Sequence, residues 1–386
     1  MSRKALSKAI SVAIIVAIVI CIIAGSAYYL HISKRANFTT TTSVAATSAT
    51  TSTRTSTTTR QGGAATTQYV VVVDARGKKV KIPEPVTRVI ALYGMAPPFL
   101  YLLGVGNKFY GGWSWGEDFY KLVDPEFNKK IGFGRSMNVE EIVKVRPQLV
   151  IAATWRRFSK MVSQLESLGI PVVCIKIENI NEIYSTISMF GKIFHKEKYA
   201  NTIINYYKSI VNEVESKVKS VSTKPKVLIL YYSGRHHSLR TFGGDMFQSK
   251  LVELAGGVNV AGNLSGKKGV NVEQVAKWNP DIILIIQYGV PASKTLQLIR
   301  NDPAWQAIKA VKDGKVYVVP YDGENWIDPC PKWALGLLWL GKVLHPQQFK
   351  DVNLTEVAAH FYKEFFNLSL SEVHITGNLT VSTAKG

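Results

Sequence analysis

Alternation of apolar and polar positions opens the foldable part of the chain. Tyr69-Val70-Val71-Val72-Val73-Asp74, a Gly77-Lys78 turn and Val80-Lys81-Ile82-Pro83 read as a β-hairpin. Short continuous apolar runs follow, separated by stretches of helical spacing. Arg88 to Leu92 predicts a strand, Pro97 to Leu103 a helix, Val139 to Val145 a helix and Leu149 to Ala153 a strand. Ser159 to Leu168 continues as a helix and Pro171 to Ile175 as a strand. Strands alternating with helices imply a parallel sheet.

From Ile180 to Val221 the spacing stays helical with no turn cluster. That is too long for one crossover, so a single helix connecting two lobes is expected. The strand–helix pattern restarts after Lys224-Pro225. It gives strands at Val227 to Tyr232, Ile282 to Ile286 and Val316 to Val319. Helices are expected over Asp245 to Ala255, Val272 to Lys277, Trp333 to Val343 and Val357 to Phe366, then a loose tail from Ser369. The fold class is therefore α/β, two Rossmann-like lobes with parallel sheets, at 69–179 and 222–368, joined through 180–221.

One segment occurs twice. Asn138-Val139-Glu140 and Asn271-Val272-Glu273 each precede a short helix, a proline at the same offset and a buried strand. A spacing of 133 residues suits two similar lobes better than a solenoid. Each Glu falls in the first turn of its helix, after an Asn that can cap it.

The N-terminal stretch follows other rules. Arg3, Lys4 and Lys8 in the basic start, 1–8, precede an uncharged run over 9–30. At about 1.5 Å per residue that run spans a bilayer core of about 30 Å, and it exceeds an ordinary secretory segment. A transmembrane anchor or signal segment is expected. The Lys4-Ala5-Leu6 start resembles archaeal pilin-type signal peptides. Cys21 follows Ile20, where a lipidation signal carries a small residue, so lipidation is not expected. The segment 31–68 reads as a flexible stalk, since sixteen of the twenty-one residues from Thr39 to Thr59 are Thr or Ser. Sequons at Asn37, Asn263, Asn353, Asn367 and Asn378 fit an extracytoplasmic, glycosylated location.

Net charge is +20, and seven basic residues without an acidic one lie in 1–67. The remainder holds 40 basic against 27 acidic groups, a balance that suits a membrane surface or an anionic ligand. The basic residues do not cluster on a nucleic-acid motif, so no nucleic-acid partner is expected. The cysteines, Cys21, Cys174 and Cys330, form neither a disulfide framework nor a zinc spacing. Cys330 is the one placed near the expected cleft. No His-Glu-x-x-His or P-loop occurs, so an enzyme is not expected.

The chain resembles the substrate-binding proteins of ABC importers for ferric siderophores, haem, vitamin B12 and, in some members, molybdate or tungstate. The resemblance runs roughly from Val70 to Leu368. It rests on the Asp74-x-x-Gly77 hairpin, the Arg88 to Leu92 strand and the two Asn-Val-Glu segments. It also rests on Ala255-Gly256-Gly257-Val258-Asn259-Val260-Ala261 and on Leu337-Leu338-Trp339-Leu340 followed by His345-Pro346. The resemblance implies a monomer working with a permease and its ATPase, two lobes joined by one long helix, and Glu140 and Glu273 pairing with permease arginines. It implies no resident cofactor. The ligand would be a ferric chelate, haem or corrinoid, or alternatively molybdate or tungstate. A membrane-tethered surface or adhesion protein, or an ectoenzyme, is the other reading.

Ligands of open parallel sheets sit beyond the carboxyl ends of the strands. That rule selects Tyr93, Trp113, Trp115, Arg135 and Trp155 in lobe one. In lobe two it selects Tyr232, Arg235, His236, His237, Arg240, Tyr288 and Trp326. Aromatic area and arginine forks suit a bulky or anionic ligand. Trp113 and Trp115 alternate, so one of them is free to point into the core. His236 and His237 are adjacent and would point opposite ways in a strand, which argues against joint metal chelation.

Overall fold

A computed structural model describes residues 68–130, 132, 137–377 and 379, which fall within one compact unit, Ala65–Gly386. The expected anchor and stalk segments, Arg135 and the sequons Asn37 and Asn378 lie outside the described residues. Asn263, Asn353 and Asn367 are exposed.

Lobe one begins with the hairpin β1 (Tyr69–Val73) and β2 (Lys79–Pro83). Val70, Val72, Val80 and Ile82 point inward, as the alternation requires. Next come β3 (Val89–Ala91), α1 (Ala96–Leu102), β4 (Phe109–Gly112), α2 (Glu117–Val123) and α3 (Val139–Val145). The lobe continues with β5 (Leu149–Ala153), α4 (Arg156–Ser167) and β6 (Val172–Ile175). Its sheet is parallel in the order β4-β3-β5-β6. Helices cover both faces, which is why β3, β5 and β6 are buried at every position.

The connector is not one helix. It is two, α5 (Ile180–Ile193) and α6 (Glu197–Val218), packed against each other. His195 takes φ 53°, and the amide of Lys196 donates to the Gly191 carbonyl at 2.7 Å, closing α5 in a left-handed cap. A Cβ at Gly191 would stand 2.7 Å from that of Ala200, so glycine lets the two helices approach at the corner. The cap residue is a histidine rather than the usual glycine, and that hid the break.

Lobe two runs β7 (Lys226–Ser233), β8 (Ser238–Phe242), α7 (Phe247–Leu254), β9 (Val258–Asn259), β10 (Lys267–Gly269) and α8 (Val272–Trp278). It goes on through β11 (Ile282–Ile285), α9 (Ala292–Asn301), α10 (Pro303–Gln306), α11 (Lys309–Lys312) and β12 (Val316–Val318). The closing helices are α12 (Trp333–Leu344) and α13 (Leu354–Phe366). Its sheet is mixed, not parallel throughout: the order is β10-β8-β7-β11-β12, with β9 beside β7. β8 runs antiparallel to both its neighbours, β7 and β10; only four residues, 234–237, separate β7 from β8, and no crossover fits there.

The two copies of the repeat fold alike. The Asn138 and Asn271 side chains each accept a 2.9 Å hydrogen bond from the amide three residues on. Both helices end in a left-handed residue, Arg146 at φ 51° and Asn279 at φ 41°, before entering β5 and β11. Glu140 and Glu273 are exposed at matching positions.

One core joins the lobes. Phe366 of α13 lies edge-on to Phe119 of α2 at 5.0 Å, and α13 also packs on α1. The described residues after Ser369 are docked rather than loose: Val373 is buried, and Tyr321 and Thr376 exchange backbone hydrogen bonds at 2.8 and 2.9 Å.

Candidate functional site

A cavity of about 610 Å³ lies between the lobes, at the carboxyl ends of β3 to β6 and of β11 and β12. Lobe one contributes Tyr93, Trp113, Trp115, Trp155, Arg157 and Glu178. Lobe two contributes Asp245, Gln248, Lys267, Tyr288, Glu324 and Asp328. A wider hollow of about 850 Å³, lined by Glu84, Lys108 and His195, sits at the rim of lobe one, away from those strand ends. Chemistry favours the smaller cavity, which gathers aromatic, cationic and acidic side chains from both lobes.

Close backbone approach sets the tryptophans. The Trp113 amide donates to the Ala91 carbonyl at 3.1 Å and the Trp115 amide to that of Gly94 at 2.8 Å. A Cβ at Gly94 would stand 2.9 Å from each indole, so only glycine leaves both rings where they are. Both therefore line the cavity, their rings 5.4 Å apart. Trp115 meets Tyr288 across the cleft at 6.1 Å, the aromatic contact between the two walls. Trp155 packs edge-on to Tyr93 at 4.8 Å, carries the Arg157 guanidinium 4.5 Å above its ring, and donates from Nε1 to Glu178 at 3.2 Å.

The floor is acidic and tightly bonded. Asp328 is buried; it accepts from Gln248 and Tyr288 at 2.5 Å each and from Asn325 at 2.9 Å. Burial raises its pKa, opposed by those donors. The Lys267 ammonium sits 4.3 Å over the Tyr288 ring; burial lowers its pKa, opposed by Asp328. Behind the floor Lys332 is wholly enclosed, its Nζ 2.5 Å from Glu324, 3.5 Å from Asp322 and 3.8 Å from the Phe119 ring centre. Burial works against its charge, but Asp322 and Glu324 outweigh it and raise its pKa. Burial raises the Glu324 pKa against the pull of Lys332. Tyr120 donates to Glu324 at 3.0 Å and Tyr362 to Asp322 at 2.6 Å. Among the described residues no cluster of three His, Cys, Asp or Glu could hold a metal ion.

Of the residues selected from the sequence, Tyr93, Trp113, Trp115, Trp155 and Tyr288 line the cavity wall. Arg135 lies outside the described residues, and the structure does not bring the remaining candidates to the cavity. Trp326 is fully buried 6.4 Å from Tyr362, part of the core, because the loop after β12 turns inward. Arg235, His236 and His237 form the exposed turn between β7 and β8, and Tyr232 points to the opposite face of β7 from Tyr231, which packs on Tyr288. Arg240 pairs with Tyr231 across the ladder and donates to the Lys267 carbonyl at 2.6 Å, and it does not line the cavity. Cys330 is buried, with its thiol 3.5 Å from the Asn325 carbonyl. Gln248, Lys267 and Asp328 were not anticipated. Lys267-Lys268-Gly269 has no apolar alternation, so nothing in the pattern marked β10.

Residues 89–322 match the family model described as periplasmic binding protein. The chain is 27% identical over 327 residues to the molybdate-binding protein MolA of Haemophilus influenzae, covering 77% of this chain and 91% of that one. It is 26% identical over 205 residues to the high-affinity heme uptake system protein IsdE of Staphylococcus aureus, covering 51% and 69%. Among solved structures it is similar to a periplasmic solute binding protein from Veillonella parvula, at TM-score 0.69 and 25% identity over 78% of this chain and 94% of that one. MolA bound to molybdate superposes at TM-score 0.68 and 25% identity, over 78% and 98%. The two lobes, the cleft between them and the match over 89–322 agree: the chain belongs to the periplasmic binding protein family.

Proposed function

We propose that this protein is the solute-binding component of an ABC importer and that its cleft captures a bulky metal chelate for delivery to a permease. The aromatic inter-lobe cavity carries this reading. At roughly 30 Å³ per water, 610 Å³ holds about twenty waters, several times the size of a tetraoxyanion. Tyr93, Trp113, Trp115, Trp155 and Tyr288 supply ring area for such a ligand, and Arg157 and Lys267 supply positive charge. Molybdate is the second reading, favoured by the similarity to MolA across most of its length. In that case Arg157 and Lys267 would hold the anion.

Glu140 and Glu273 are the docking points of this proposal, one exposed carboxylate per lobe at equivalent helix starts. The apolar run over 9–30 would hold the protein on the extracytoplasmic face of the membrane, with 31–68 as spacer.

The test is a thermal-shift screen of the purified protein against ferric siderophores, haem, cobalamin, molybdate and tungstate. A true ligand at about 100 times its Kd stabilises by roughly 2.7 kcal/mol. A shift with a chelate alone supports the first reading, and a shift with an oxyanion alone the second.

A further inference from the structure

The polar groups around the cavity can be accounted for one by one. Asp328 is filled by three donors. Asp245 is filled by the Ser265 hydroxyl and the Gly266 amide, at 2.7 Å each. Glu178 holds Trp155 Nε1 at 3.2 Å and Lys176 at 3.4 Å. Two acceptors remain. Glu324 Oε1 and Gln248 Oε1 are buried without a partner among the described residues. Both residues line the cavity, and they are only 4% and 3% exposed. Their other ends are fixed: Glu324 Oε2 by Lys332 and Tyr120, Gln248 Nε2 by Asp328.

A buried acceptor left open destabilises the empty protein, and a ligand donor that reaches it recovers that loss. The terminal torsions of Glu and Gln are broad, so a small turn brings either oxygen to a donor while the rest of the side chain stays packed. A tetraoxyanion has no donor to give, and a carboxylate-bearing porphyrin presents acceptors.

Resting on the solute-capture reading above, we propose that Glu324 and Gln248 select a ligand presenting N–H or O–H donors. That means a neutral or cationic chelate with amide, ammonium or hydroxyl groups on the side facing the floor of the cleft.

Calorimetric titration of the full-length protein with four probes tests this. Ferrioxamine B and cobalamin carry amide donors; molybdate and haem serve as acceptor-rich comparators. An amide-bearing probe is expected to bind. Glu324→Gln, which keeps the shape and one oxygen, and Gln248→Leu are each expected to weaken that binding about tenfold or more. Melting temperature is measured in parallel, and Gln248→Leu carries the test if Glu324→Gln fails to fold. Binding of molybdate or haem alone overturns the inference and leaves solute capture standing. So does an amide-bearing probe whose affinity both folded variants retain. Silence from all four probes overturns the metal-complex reading itself, and this inference with it.

Discussion

Lys332 and Glu324 form an ion pair at 2.5 Å with both side chains shut away from solvent, and Tyr120 of lobe one closes the pair. Residues on either side of the cleft thus share one buried charge cluster. Two carboxylates, Asp322 and Glu324, face a single ammonium there.

Removing the ammonium should therefore be severe. Lys332→Met is expected to destabilise by about 3–5 kcal/mol, since it leaves two acids buried without their counter-charge. Urea denaturation of wild type and variant measures this. A loss near zero would mean that the acids take up protons at little cost.

Gly94 gives a second expectation. Gly94→Ala puts a methyl 2.9 Å from both Trp113 and Trp115 and should push them from the cleft. Ligand affinity should fall at least tenfold, with a stability loss of about 1–3 kcal/mol. Trp115→Ala should weaken binding with less effect on the melting temperature, as read by titration and differential scanning fluorimetry.

The matched glutamates predict a separation of functions. Glu140→Ala together with Glu273→Ala should leave ligand affinity unchanged and abolish uptake in cells carrying the permease. Uptake at the wild-type rate would remove the docking role. Stability should change by at most about 1 kcal/mol per site, the scale of a charge at a helix start.

His345 predicts a pH dependence. Burial lowers its pKa, opposed by the carbonyls of Gly256 and Ala255. A histidine whose folded pKa is depressed adds stability above its unfolded pKa of about 6.5, and that stability is lost as pH falls. Denaturation at pH 7.5 and 5.5 should show a drop in the wild type that His345→Gln reduces. An equal drop in both would assign the acid sensitivity to other groups.

The strands were legible because burial on both faces forces unbroken apolar runs such as Leu149–Ala153 and Ile282–Ile285. The repeated Asn caps were legible because capping is local chemistry. The connector's break was not, since His195 in a left-handed cap leaves no Gly or Pro signal. Of the site, the residues directly after buried strands were found: Tyr93, Trp155 and Tyr288. Gln248 and Asp328 escaped because they meet only through tertiary packing, 80 residues apart in sequence. Trp326 misled because an aromatic in a loop near the strand ends looks the same whether it turns out to a ligand or in to Tyr362.

The packing of α13 on α1 and α2 bears on the order in which the protein is made. Phe119 belongs to the half of the chain synthesised first, and the ring that covers it, Phe366, arrives near the end. Until then lobe one shows an apolar flank. A chain that leaves the ribosome, or crosses a membrane, N-terminus first must carry that flank uncovered for most of its passage. Chaperones and proteases would meet the molecule there, and truncations that remove only the last helix would be cleared as misfolded protein even though every residue of the cleft wall is still present.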